Sequence, residues 1–279
     1  MVESLAVQRD GRILVGGNFT TKDIWDETDD SPGYARIARY NSNGSLDSSF
    51  KAYNCSSDVY CMAIQADDKI VIGGDFGWLS NDPSGATIET RHYLVRLNPD
   101  GLVDPTFDPG TNGSVVCLAV QTDGKILVGG DFTAVAGQPR NHIARLDSDG
   151  TLDSTFDPGA DADAYCVAVQ PDGKILLGGT FTSLGGNPRN HIGRLNRNVS
   201  IDPDFNPGVG AGGEYVESLA LQADGKILLA GYFNSAAGGT RRCIARLNAN
   251  GTLDSAYVPD ANFTLDTVVL QSDGKVLLG

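Results

Sequence analysis

Five arginine–aspartate pairs are the most frequent chemistry in this sequence. Arg39 and Asp47, Arg96 and Asp104, Arg145 and Asp153, Arg194 and Asp202, and Arg246 and Asp254 all keep the same spacing. A guanidinium facing a carboxylate could hold an anion, assist a reaction, or close a structural ion pair. Five copies of one arrangement favour the structural role, and a partly buried pair of this kind is costly to break from one side.

A second grouping does not repeat. The interval from a Gly-Gly-x-Phe phenylalanine to the next paired arginine is 20 residues for Phe19 to Arg39 and Phe76 to Arg96. It is 13 for Phe132 to Arg145, Phe181 to Arg194 and Phe233 to Arg246. The two longer segments hold the only tryptophans, Trp25 and Trp78, with Asp26, Asp29 and Asp30 near the first and Asp82 near the second. Tryptophan with carboxylates suits stacking on a sugar ring with hydrogen bonds to its hydroxyls, or a protein contact anchored by aromatics. The alternative is that each tryptophan packs its own loop onto the scaffold. These six residues form the candidate ligand-binding set. The segment Gly210 to Tyr215 is also long and belongs to the same face.

Other arrangements point to less. Asp147-x-Asp149-Gly150 has the start of a calcium loop but lacks a further ligand and a downstream glutamate, so it reads as turn chemistry with weak calcium binding as the alternative. His142 and His191 occupy one repeat position, shared with Tyr93 and Cys243; with only His92 besides, no metal cluster is expected. No serine–histidine–acid set stands at a distinct site. Arg91, Arg140, Arg189 and Arg241 could ring an anion or stand beside Asp75 or Asp131. Cys61, Cys117 and Cys166 share one position and read as small residues in strands, and Cys55 with Cys61 is the one plausible local disulfide.

The elements that must carry these residues follow from two alternating phrases. One, as in Cys117-Leu118-Ala119-Val120-Gln121-Thr122-Asp123-Gly124-Lys125-Ile126-Leu127-Val128-Gly129-Gly130, occurs six times. The other, as in Ile143-Ala144-Arg145-Leu146-Asp147-Ser148-Asp149-Gly150-Thr151-Leu152-Asp153, occurs five times. Short apolar runs between Gly, Asp, Asn and Pro are strands, and no helix is expected. Asn98-Pro99-Asp100-Gly101 sets a type I turn followed by a left-handed glycine. That register places Leu97 opposite Val103 and Arg96 opposite Asp104. Asp68 replaces the turn glycine of repeat two, Asn198-Val199 is expected to break a turn, and Ala230 replaces a glycine of the Gly-Gly pair.

Four short antiparallel strands at a period of about fifty residues point to an all-β chain, a β-propeller of four-stranded blades. Repeats run over roughly 1–57, 58–113, 114–162, 163–214 and 215–263, with 264–279 a partial sixth, in one domain of 279 residues. Six blades are favoured, with five or part of a larger ring as alternatives. An incomplete ring would leave a strand edge for docking another chain. The phrases Leu-Ala-Val-Gln-x-Asp-Gly-Lys-Ile-Leu-x-Gly-Gly and Ile-Ala-Arg-Leu-x-x-Asp-Gly-x-Leu-Asp-x-x-Phe resemble the delta-60 repeat family. The resemblance implies a propeller fold and a surface or secreted setting in bacteria and phages, and implies no chemistry.

Net charge of −14 argues against a nucleic-acid partner, and no apolar run has the length of a membrane span. The first expectation is a non-enzymatic binding or adhesion module without cofactor, taking a glycan or a protein surface. The second is a structural protein of a cell-surface fibre or virion appendage, assembled through propeller faces. The third is a hydrolase or lyase using acidic residues at the axis.

Overall fold

The computed structural model describes residues 1–19, 36–51, 54–80, 89–210, 212–259 and 261–279. Strands and turns account for all the secondary structure among them. Each full repeat forms a three-stranded antiparallel sheet in chain order. Strand one is Val2–Val7, Val59–Ile64, Val115–Val120, Ala164–Val169 and Tyr215–Leu221 in successive repeats. Strand two is Ile13–Gly17, Ile70–Gly74, Ile126–Gly130, Ile175–Gly179 and Ile227–Tyr232. Strand three is Ile37–Tyr40, Leu94–Leu97, Ile143–Leu146, Ile192–Leu195 and Ile244–Leu247. The partial sixth repeat gives the hairpin Val268–Leu270 with Val276–Leu278.

The fourth strand contracts to one bridge per repeat: Tyr40 with Leu46, Leu97 with Val103, Leu146 with Leu152, Leu195 with Ile201 and Leu247 with Leu253. The Asp-x-x-Phe segment ends it, because the Phe107 amide turns back to the Asp104 carbonyl at 3.2 Å. The register around Leu97 and Val103 is the one the turn sequence dictates, with the Asp104 amide donating to the Arg96 carbonyl at 2.8 Å. The second-to-third loops of repeats three to five contain hairpins of their own, such as Ala134–Val135 with Gln138–Pro139. In repeat two, Trp78–Ser80 pairs with both Asn54–Cys55 and Glu89–Thr90.

Turn chemistry holds even where the sequence departs from pattern. Asp68 takes φ 63° and Val199 takes φ 73°, and both keep the turn hydrogen bond, at 3.1 and 2.8 Å. Asn198-Val199 therefore does not break its turn; it forces a β-branched residue into the left-handed region. The Asp or Asn before the turn glycine closes the loop from outside, as Asp123 accepts the Lys125 amide at 3.2 Å, Asp149 the Thr151 amide at 2.8 Å and Asn250 the Thr252 amide at 3.1 Å.

The described residues fall into two compact units, Met1–Val128 with Phe132–Arg140 and Arg145–Asp153, and Gly129–Asp131 with Asn141–Ala144 and Ser154–Gly279. In the first unit the first strands of repeats one, two and three lie side by side. In the second, those of repeats four, five and six do so. Apolar faces of successive blades bury against each other: Leu14, Ile37, Val59, Ile70 and Val95 in the first unit, and Leu176, Ile192, Val216, Ile227 and Ala245 in the second. The Gly-Gly pair permits this approach. A Cβ on Gly16 would sit 2.8 Å from Cγ1 of Val59 in the next repeat, and one on Gly179 would sit 2.0 Å from the Asp163 carbonyl oxygen. Strand one bulges beside that second glycine, between Val59 and Cys61, Ala164 and Cys166, and Val216 and Ser218. The extra residues of these bulges are Tyr60, Tyr165 and Glu217.

Candidate functional site

The paired arginines and aspartates are latches between blades. Nε of Arg39, Arg96, Arg145, Arg194 and Arg246 donates to Oδ2 of Asp47, Asp104, Asp153, Asp202 and Asp254 at 2.8, 3.0, 2.9, 2.9 and 2.9 Å. The guanidinium then reaches the third-to-fourth turn of the next repeat. Arg39 donates to the Pro99 carbonyl at 2.6 Å, Arg96 to Ser148 at 2.5 Å and Arg194 to Ala249 at 2.6 Å. It also lies over the ring of its own repeat, 4.4 Å from the Phe50 centroid, 4.5 Å from Phe107 and 4.2 Å from Phe205 and from Tyr257. Sequence reading missed the third member. Lys69, Lys125, Lys174 and Lys226 of the first hairpin reach the same aspartates at 2.8 to 3.0 Å, and Arg12 takes that role beside Asp47. The shared Asp-Gly-Lys phrase was the available signal. Burial would raise the Asp104 carboxyl, yet Lys69, Thr106 and Arg96 hold it below the usual range.

Arg140 and Arg189 donate to the carbonyls of Pro139 and Pro188 at 2.6 and 2.7 Å, and Arg91 and Arg241 to Thr90 and Thr240 at 2.8 and 2.7 Å. Each thus ties down its own backbone; Arg91 also faces Glu89 and Asp108 at 3.8 and 3.7 Å, and Arg189 donates to the Asp202 carbonyl at 2.9 Å. The five cysteines are free thiols, so Cys55 and Cys61 do not pair. The Cys61 thiol instead points to the Val115 carbonyl of the next repeat at 3.7 Å, and that of Cys166 to Val216 at 3.8 Å.

Of the tryptophan loops, Trp25, Asp26, Asp29, Asp30 and Asp82 lie outside the described residues. Trp78 is held by its backbone, through the Ser56 hydroxyl at 3.2 Å and the Ser56 amide at 3.0 Å, and its side chain is 38% exposed. It is available at the surface.

Residues that vary between repeats meet at the end of each blade where strand two finishes. Three positions contribute: the residue after the Gly-Gly pair, the residue before strand three, and the residue before the next strand one. In repeat one these are Asn18, Arg36 and Asp58. Arg36 donates to Asn18 Oδ1 at 2.7 Å and pairs with Asp58. In repeat two, the Ser114 hydroxyl donates to Asp75 Oδ1 at 2.8 Å, and Tyr93 holds the middle position. In repeat three, Asp131, His142 and Asp163 come together, with ligand atoms within 4.8 Å of one another. This contact escaped the sequence reading because its members come from two ends of one loop and the start of the following blade. Tyr93, His142, His191 and Cys243 all adopt φ between 58° and 64° before strand three. Such conformations are uncommon for residues other than glycine and gather at functional sites.

The second unit adds aromatic rings. Tyr165 meets Tyr215 edge-on at 5.8 Å, and Tyr215 meets Tyr232 at 5.9 Å. Burial, then the charge of Asp266, pushes Glu217 up to about 6. Burial and the neighbouring Asp131 also raise Asp163. By contrast, an open groove lined by Asp108, Ala136 and Asp149 has a counterpart lined by Asn206, Ala237 and Asn250. Its recurrence marks it as a product of blade spacing.

Repeated antiparallel sheets packed blade on blade, with strand one alongside strand one, define a β-propeller protein. The chain belongs to the DUF5122 β-propeller family, a domain family of unknown function, which matches residues 8–50, 65–107, 121–156, 170–205 and 222–257. No curated protein matches it in sequence. Among solved structures it is similar to the WD40 β-propeller domain of Doa1, at 13% identity and TM-score 0.63, covering 100% of this chain and 75% of that one. It is also similar to the extracellular domain of the one-component system protein BT4673 from B. thetaiotaomicron, at 16% identity and TM-score 0.60, covering 100% and 30%. A third is virginiamycin B lyase from Staphylococcus aureus, at 12% identity and TM-score 0.58, covering 99% and 76%. At these identities the likeness is one of fold. No helix among the described residues is long and apolar enough to cross a membrane.

Proposed function

We propose that the chain is a non-enzymatic binding module that takes a glycan or a protein surface at the blade ends where strand two finishes. One observation carries this reading. The repeated charges serve as latches, whereas the residues that differ between repeats, aromatic and acidic together, collect at these ends. In the second unit they are Tyr165, Tyr215 and Tyr232 beside Glu217 and Asp266. In the first unit the exposed Trp78 lies in the loop at the same end of its blade. Aromatic faces flanked by carboxylates match the stacking and hydroxyl hydrogen bonding that a sugar offers. Net charge of −14 disfavours phosphate-rich partners. The reading requires no cofactor, and the delta-60 resemblance supports a cell-surface or virion setting.

A second reading has its own observation. Leu5 and Val7 of the first strand are 66% and 69% exposed, and Val269 and Leu277 of the last hairpin 51% and 52%. Apolar strands left open in each unit favour a structural protein that assembles through them. The test is an immobilised-glycan array probed with the wild type and with Trp25→Ala, Trp78→Ala and Tyr215→Ala. Binding by the wild type, weakened about tenfold by loss of a stacking ring, supports the module. A wild type that binds no glycan but forms a stable assembly supports the structural reading.

A further inference from the structure

We propose that Asp131, His142 and Asp163 form a binding site for one divalent transition-metal cation of the zinc or manganese class. The donor set is one imidazole and two carboxylates, with ligand atoms within 4.8 Å of one another. Nδ1 of His142 lies 3.2 Å from Oδ1 of Asp163. Two ligands that far apart, each about 2.1 Å from a shared cation, subtend roughly 100° at it, between the octahedral and tetrahedral values. Imidazole with carboxylate suits zinc and manganese, and three protein ligands leave positions for water or a bound molecule.

The equivalent junction in repeat one shows that the place accepts a cation. There the Arg36 guanidinium donates to Asn18 and pairs with Asp58, while Asn18 Nδ2 donates to Asp58 at 3.3 Å. Repeat three has a second carboxylate, Asp131, in place of Asn18, and a histidine in place of Arg36. It carries one more carboxylate and lacks the permanent charge of a guanidinium. A bound metal would supply the charge that Arg36 supplies in repeat one.

The backbone holds the ligands in place. His142 is fixed in the left-handed region at φ 62°, its carbonyl accepting the Gly130 amide at 3.1 Å. The Asp163 carbonyl accepts the Thr180 amide at 3.0 Å. Asp131 is exposed and leaves an approach from solvent. Without metal, Nδ1 can donate to the Gly130 carbonyl, 3.1 Å away. A cation would instead take the Nδ1 lone pair, with the ring proton on Nε2.

The site stands independently of any glycan. The test is calorimetric titration of the chelator-treated full chain with zinc chloride, beside His142→Asn, Asp131→Asn and His92→Asn. Asparagine suits position 142 because it tolerates left-handed backbone. The expected result is a single equivalent of zinc, with affinity lowered tenfold or more in His142→Asn and Asp131→Asn and unchanged in His92→Asn. Asp131 is solvent-facing, so Asp131→Asn gives a folded comparison even if position 142 does not tolerate change. No uptake by the wild type, or equal uptake by wild type and Asp131→Asn, would overturn the proposal and leave the three side chains as a hydrogen-bonded contact.

Discussion

Arg96 carries more of the fold than any sequence pairing suggests. It joins Asp104, lies over Phe107, and donates to the Ser148 carbonyl of the next repeat, while Lys69 adds a second cation on the same carboxylate. Arg96→Ala would leave Asp104 buried with a single cation and cut a link between blades. We expect a loss of about 3 kcal/mol in chemical denaturation, since breaking one side of a buried pair costs in that range. The pairing itself was legible in the turn register. The lysine was marked only by its recurrence after the first turn; its partner was not legible, because the lysine arrives from the preceding hairpin and packing brings it near.

Acid response follows from the same groups. Asp47, held down chiefly by the Ser49 hydroxyl, and Asp104 are depressed in the folded state. They stabilise it above the unfolded carboxyl value of about 3.9 and lose that contribution as pH falls further. The thermal midpoint should therefore drop steadily below about pH 4. Glu217 acts in the opposite sense. Its folded pKa of about 6 lies above the unfolded value, so it removes stability as pH rises toward 6. Glu217→Gln should raise stability at pH 7.5 by on the order of 1 kcal/mol, after allowance for partial exposure, and make no difference below about pH 4.

Elements show where local preference and packing compete. The turn between strands three and four in repeat four keeps its geometry although Val199 replaces glycine. Its φ of 73° makes the position strained. Val199→Gly should stabilise the protein by about 1 kcal/mol, and a rise in thermal midpoint would show it. The Gly-Gly pair has a different cause, the approach of the next blade. Gly16→Ala should cost about 1–3 kcal/mol by overpacking against Val59. Combined with Val59→Ala, it should cost less than the sum of the single changes, a coupling that a double-mutant cycle measures. Repeat five already holds an alanine at this place, Ala230, against Val268 and Leu265 in the shorter last hairpin. Strands one to three could be read from the repeated phrases. The contraction of the fourth to a bridge could not, because Leu-Asp-x-x-Phe reads as a strand, whereas the aspartate closes a turn on itself, its carboxylate taking the Thr106 amide at 3.0 Å and its carbonyl the Phe107 amide at 3.2 Å.

At the scale of the whole molecule, repetition separates scaffold from site. What recurs, from the Arg–Asp–Lys latches to the turn carboxylates, is spent on holding blades together. Sequence pointed to the same end of the blades as the proposed site, through Trp78 and the connection before Tyr215. It did not reveal the Tyr165–Tyr215–Tyr232 stack or the meeting of Asp131, His142 and Asp163. Those residues are far apart along the chain and join only when strand one of each blade lies beside the next. In the proposed function, ligand meets the variable blade ends and not the tight turns opposite. The direct measurement is glycan-array binding by the wild type, Trp78→Ala and Tyr215→Ala, set against Asp123→Ala in a tight turn. Wild-type binding should fall about tenfold in the first two variants and be unchanged in Asp123→Ala. Binding that survives loss of both aromatic residues, or falls equally in Asp123→Ala, would contradict it.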